Sequence, residues 1–148
     1  MLKNLDPLLT PELLSTLRAM GHGDELAIVD ANFPAATVGR RVIALPGADA
    51  PTALDAILSV FPLDAEANPA VVTMEAAGDP PATPDPVVAF FAILTGHGLG
   101  DLPFRALRRY AFYERARDAF AVVRTGELRP YGNVLLVKGV VNSYTPMP

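Results

Sequence analysis

Apolar positions in this chain change period several times, and each change marks an element. Leu13, Leu14, Leu17 and Met20 share one face of a helical projection. Thr10 can cap that helix, and Pro11 suits a first turn, where no N–H is needed. Gly21 follows where a helix ending favours a left-handed residue. Residues 26–29 are an unbroken apolar run, the mark of a strand covered on both faces. Residues 32–39 read as loop, with Pro34 as the breaker, and residues 41–45 as a second strand. Asp49-Ala50-Pro51 opens another helix, with Leu54, Ile57, Leu58 and Phe61 at i, i+3, i+4 and i+7. Residues 70–74 form a third apolar strand.

The second half continues the alternation. Residues 78–86 hold four prolines and read as a surface loop. They are no domain linker, because neither side looks self-sufficient. Residues 87–94 are apolar nearly all round and predict a buried helix, opened by Pro86. His97 lies in the glycine-rich loop 96–100. Residues 104–109 suit a strand, and 112–119 a helix whose Phe112, Ala116 and Ala119 or Phe120 share a face. Strands at 120–123 and 134–137 flank a turn region with Gly126, Pro130 and Gly132. No helix signal separates these two strands, so they suit an antiparallel pair. The pattern predicts one α/β domain over residues 1–148, a three-layer α/β/α arrangement on a mostly parallel, mixed sheet.

Composition narrows the class. The chain has 148 residues, enough for one domain with a real core. Half of it is hydrophobic, a high share for a small domain that must cover itself with polar surface. The surplus predicts burial against other copies of the chain. A net charge of −4 argues against nucleic acid, which needs a basic field. With no cysteine and two histidines, neither disulfides nor a transition-metal site is expected. The start of the chain lacks a signal-peptide core, and no apolar run approaches a membrane span. The default expectation is a cytoplasmic protein.

Reactive groups concentrate in two polar islands. His22, between Gly21 and Gly23, is an uncrowded imidazole able to exchange protons near neutral pH. The same position also suits a helix-capping histidine. Asp30 ends the first strand, and the carboxyl ends of strands are where ligands sit in such sheets. A turn-forming Asp would also fit there. Tyr131-Gly132-Asn133 offers a phenol, a close backbone approach and an amide, the donors and acceptors that a polyol requires. A plain turn favours the same residues. Arg109 can form charge-assisted bonds to a ligand or pair with a surface carboxylate. No Gly-rich phosphate loop, dinucleotide fingerprint or nucleophile elbow is present. Acid–base chemistry without a cofactor, or binding alone, remains.

Several of these stretches, in this order, resemble one family. They are Met20-Gly21-His22-Gly23-Asp24-Glu25, residues 30–35 (Asp-Ala-Asn-Phe-Pro-Ala), residues 110–116, Thr125-Gly126-Glu127 and Tyr131-Gly132-Asn133. The resemblance is to the L-fucose mutarotase and D-ribose pyranase family. It runs from Leu8 to Val140 and is loose between about residues 77 and 103. The Phe-Tyr-Glu-Arg-Ala, His-Gly-Asp and Tyr-Gly-Asn forms are closer to the fucose branch.

The resemblance implies a cofactor-free isomerase that interconverts anomers of a free aldose, with L-fucose as the first candidate. It implies His22 as proton donor, and Asp30, Arg109 and Tyr131-Gly132-Asn133 as substrate-binding groups. It further implies a homodecamer with sites near subunit contacts. Tyr131 or a bound water is the second proton-transfer group expected. Two alternatives stay open: a D-ribose pyranase-type interconversion, and a non-catalytic sugar-binding or transport-associated protein. One tension is built in. A straight strand would hold His22 and Asp30 near its opposite ends, so either the Gly21-His22-Gly23 segment folds back or one pocket draws on two subunits.

Overall fold

The computed structural model describes residues 1–144, so the last four residues of the domain expected over 1–148 lie outside the described residues. The elements, in chain order, are α1 (Pro11–Ala19), β1 (Glu25–Val29), α2 (Ala35–Val38), β2 (Val42–Leu45), α3 (Ala50–Leu58), β3 (Val71–Met74), α4 (Asp85–Gly96), β4 (Phe104–Leu107), α5 (Arg109–Asp118), β5 (Ala121–Thr125) and β6 (Val134–Val137). The strands form one sheet in the order β2-β5-β1-β6-β3-β4. β2, β5 and β1 run parallel, as do β3 and β4. β6 lies antiparallel between β1 and β3.

Alternation along the central strands sends side chains into two cores. Leu26 and Ile28 of β1 pack with Leu13, Leu17, Leu54, Ile57 and Phe90, and so face α1, α3 and α4. Ala27 and Val29 pack with Ala35, Val38, Phe112 and Ala116, and so face α2 and α5. This is the three-layer α/β/α arrangement on a mixed sheet that the pattern predicts. The caps also follow the sequence: Thr10 Oγ1 accepts from the Leu13 N–H at 3.2 Å, and Asp49 Oδ1 from the Thr52 N–H at 2.8 Å.

Several local expectations are corrected. β5 and β6 do not pair, because β1 sits between them and bonds to both. Gly21 is not left-handed: Met20, in extended backbone, ends α1, and the positive φ of +84° belongs to Gly23. Pro34 does not simply break the chain; it precedes the one-turn α2, since a fixed φ is compatible with helix entry. The strand expected over 104–109 ends at Leu107, and α5 begins at Arg109 rather than Phe112. α4 buries Val87, Phe90 and Leu94 but leaves Val88 57 % exposed, so it is apolar all round without being enclosed.

The topology brings the ends of several strands to one edge. Parallel β1 and β5 finish there, β3 finishes there at Met74, and antiparallel β6 starts there. Three bonds clamp this edge: Thr125 Oγ1 donates to the Val29 carbonyl at 2.8 Å, the Glu127 N–H to Thr125 Oγ1 at 3.2 Å, and the Ala31 N–H to the Glu127 carbonyl at 2.9 Å.

Candidate functional site

A cleft of about 320 Å³ opens at this edge. Asp30, Asn32 and Phe33 line it from the end of β1, Arg109 and Tyr113 from α5, and Tyr131 and Asn133 from the turn before β6. Asp30 is 6 % exposed and Asn133 2 %. Such a buried carboxylate needs hydrogen bonds, and it has them. Its Oδ1 accepts the Asn32 N–H at 3.0 Å and its Oδ2 accepts Asn133 Nδ2 at 3.0 Å. Burial nonetheless raises the Asp30 pKa above its usual value, with the hydrogen bonds from Asn32, Asn133 and Phe33 opposing that rise.

Arg109 supplies the cleft's cation from the first turn of α5. The Tyr131 hydroxyl beside it, with Tyr113 and Tyr110 near, pushes the guanidinium further above its already high range. Tyr131 adopts a φ of +61°, a backbone region unusual for a side chain of its size. Phe33 and Tyr113 meet edge to face at 5.1 Å, giving the cleft an aromatic wall. Apolar ring faces beside one anion, one cation and neutral amide and phenol groups suit a small polyhydroxy molecule. Among the described residues no three His, Cys, Asp or Glu side chains gather as a metal site.

Gly132 has a definite steric reason. A Cβ there would stand 2.7 Å from Glu127 Cγ. Glu127 is 2 % exposed, and Arg129 clasps it through Nε and Nη2, both at 2.9 Å. That clasp holds the Glu127 carboxyl below its usual range. Reasoning from sequence missed this pair. Its signal was a Glu two residues before an Arg inside a turn, which resembles any surface ion pair.

His22 is not in the cleft. It lines a separate cavity of about 510 Å³ with Arg18, Phe61 and Lys138, beyond the start of β1. Five strand residues (Glu25–Val29) intervene, spanning about 17 Å. The Gly21-His22-Gly23 segment does not fold back, since the Gly23 N–H donates to the Lys138 carbonyl at 2.8 Å, beside the last residue of β6. Asp30, Arg109, Tyr131 and Asn133 are therefore brought together, with Gly132 buried between the last two, while His22 stands apart in its own chain. His97 sits at the end of α4, with Nε2 2.7 Å from Asp55 Oδ1, away from both.

Comparison with known proteins settles the family. Residues 3–141 match the model of the RbsD / FucU transport protein family. The chain belongs to this family. Among solved structures, it is similar to the fucose mutarotase from Streptococcus pneumoniae, crystallised in complex with L-fucose. The two share 38 % identity at a TM-score of 0.89, over 95 % of this chain and 99 % of that one. FucU from Bifidobacterium longum is 40 % identical at a TM-score of 0.86, over 94 % and 99 % of the two chains. RbsD from Bacillus subtilis, complexed with D-ribose, is 22 % identical at a TM-score of 0.71, over 95 % and 99 %, a likeness of fold. This RbsD / FucU member thus shares its fold, over 95 % of its length, with sugar-bound relatives.

Proposed function

We propose that the protein is a sugar mutarotase that interconverts anomers of a free aldose, foremost L-fucose, by acid–base ring opening. The observation that carries this reading is the Asp30–Asn133 pair, buried at the strand ends beneath a cleft that Arg109 and Tyr131 complete. Mutarotation requires that a proton leave the anomeric hydroxyl while another reaches the ring oxygen. The ring C–O bond breaks, the aldehyde forms, its face rotates, and closure reverses the two transfers. Proton balance is restored within each cycle, so positioned acid and base groups suffice, each contributing about 10²–10⁴-fold. His22 is the proposed acid at the ring oxygen, and Tyr131 or a water beside it the acceptor from the hydroxyl.

Because His22 lies beyond the far end of β1 from its own cleft, the acid for each cleft comes from a second copy. Closed symmetric assembly repeats such a contact at every equivalent interface, and a homodecamer is the proposed state. Exposed apolar residues support association: Val140 and Val141, 54 % and 72 % exposed, border the His22 cavity.

Saturation-transfer NMR over a panel of aldoses tests the activity. L-Fucose is expected to show accelerated exchange between its anomers. Faster pyranose–furanose exchange of D-ribose would replace the fucose assignment. Binding of a sugar without acceleration of any aldose would overturn catalysis.

A further inference from the structure

His22 does not hang free in its cavity. Its Nε2 lies 2.9 Å from Asp64 Oδ2, while its side chain remains 60 % exposed. Both partners are anchored on the same stretch of backbone, at the end of β6 and the two residues after it. The loop of His22 is tied there by the bond from the Gly23 N–H to the Lys138 carbonyl. The segment of Asp64 is tied there twice: the Asp64 N–H donates to the Val137 carbonyl at 3.0 Å, and the Gly139 N–H to the Pro62 carbonyl at 2.9 Å. A Cβ on Gly139 would run into the Leu63 carbonyl oxygen, which shows how closely the two segments approach. The carboxylate is oriented as well. Its Oδ1 accepts the Glu66 N–H at 3.0 Å, leaving Oδ2 for the imidazole.

An imidazole whose Nε2 faces an ionised carboxylate keeps its proton there. Nδ1 then carries the lone pair in the neutral ring, and no hydrogen bond occupies Nδ1 among the described residues. The contacts of Asp64 with the Glu66 N–H and with His22 also hold its carboxyl below the usual range, which keeps it anionic and acceptor-only near neutral pH. We infer that Asp64 is a positioning residue that fixes His22 in the Nε2–H tautomer, so that Nδ1 is the atom exchanging protons with the sugar. The inference rests on the proposed role of His22 as acid. In the step concerned, the imidazolium Nδ1–H proton passes to the ring oxygen as the ring C–O bond breaks. Closure returns it, and Asp64 neither gains nor loses a proton.

Asp64→Asn tests this with the turn retained. The Glu66 N–H still demands the side-chain oxygen, so the new amide NH₂ must face Nε2. A donor in that place reverses the preference, and the ring proton moves to Nδ1. The measurement uses ¹⁵N-histidine-labelled, full-length assembled protein, in a His97→Gln background that leaves one imidazole. Ring ¹⁵N shifts at pH well above the imidazolium range should report Nε2–H in the parent and Nδ1–H in Asp64→Asn. kcat for aldose exchange should fall about tenfold or more, with KM nearly unchanged. Asp64→Ala, which offers neither donor nor acceptor, should give mixed tautomers and an intermediate rate. Identical ring shifts in parent and Asp64→Asn would overturn the inference, as would a reversed tautomer with unchanged kcat. A parent inactive on every aldose, yet showing the tautomer reversal, would defeat the mutarotase reading while leaving Asp64's hold on His22 established.

Discussion

Asn133 and Asp30 hold each other twice: the Asn133 amide donates to Asp30 Oδ2 at 3.0 Å, and its carbonyl accepts the Asp30 backbone N–H at 2.9 Å. One side chain thereby fixes both the backbone and the carboxylate of the other, across 103 residues of sequence. The clasp also joins the end of β1 to the turn before β6, the two walls of the cleft.

Asn133→Ala should therefore act on stability and on function together. It leaves a buried N–H and one carboxylate oxygen without their partner, which costs about 1–3 kcal/mol. Urea unfolding should show that loss, and exchange kinetics should show a lower kcat/KM for the sugar. Asn133→Asp should be worse at neutral pH than at pH 4, because a second carboxylate would face Asp30. Equal activity for Asn133→Ala and the parent would show that the clasp does not shape the site.

Gly132→Ala carries a steric prediction. The added Cβ would meet Glu127 Cγ at 2.7 Å, with the Arg129 carbonyl oxygen and Pro86 Cβ both at 3.4 Å. Glu127 cannot simply swing away, because Arg129 and burial hold it. Overpacking of this kind costs about 1–3 kcal/mol. The expected displacement is in the turn that carries Tyr131 and Asn133, so KM should rise alongside a lower Tm. Glu127→Ala, by removing the obstructing Cγ, should recover part of the Tm loss when combined with Gly132→Ala. Simple additivity of the two changes would contradict the contact.

Two carboxyls near the cleft should move stability with pH in opposite senses. Burial raises Asp30 above the usual 3.8, so between 3.8 and its raised value the folded chain binds the proton more tightly than the unfolded chain. Stability from this group falls as pH rises through that window. Arg129 lowers Glu127 below 4.5, so its contribution is present above 4.5 and is lost as pH falls through the lowered value. Urea unfolding between pH 3 and 7 should show Asp30→Asn gaining on the parent as pH increases. Glu127→Gln should approach the parent as pH decreases. Parallel curves for parent and variant would refute the corresponding assignment.

Some of this was legible along the chain and some was not. The apolar run of β1 ends at Asp30, so its address at a strand end could be read directly. Tyr131-Gly132-Asn133 was visible as turn chemistry before the last strand, but not that Asn133 reaches back to Asp30, because contacts of that separation leave no local trace. The sequence pattern puts Arg109 before a helix, whereas it begins α5; residues 104–112 carry no period strong enough to fix the boundary. The lack of a helix signal between β5 and β6 suggests that they pair, whereas the sheet inserts β1 between them, a long-range choice that the intervening residues do not encode. Asp64 escaped notice as an Asp two residues before a Glu, a common turn. Only the fold shows that this turn lies against His22.

The separation of His22 from its own cleft makes the last prediction. If each working site takes His22 from one copy and Asp30 from another, His22→Ala and Asp30→Asn remove different halves of it. Each variant alone should lose most exchange activity, on the order of 10²-fold or more. Co-refolding equal amounts should then restore activity, because hybrid contacts place an intact His22 beside an intact Asp30. Random assortment gives about a quarter of wild-type sites when every site is shared by two copies of a closed ring. A doubly substituted chain, refolded with wild-type chains in the same ratio, should give a similar fraction and serves as the calibration. If His22 served the cleft of its own chain, the two single variants would have no intact site in any hybrid and mixing would restore nothing. Recovery on mixing, measured by saturation transfer at fixed total protein, thus discriminates between a site within one chain and a site between chains.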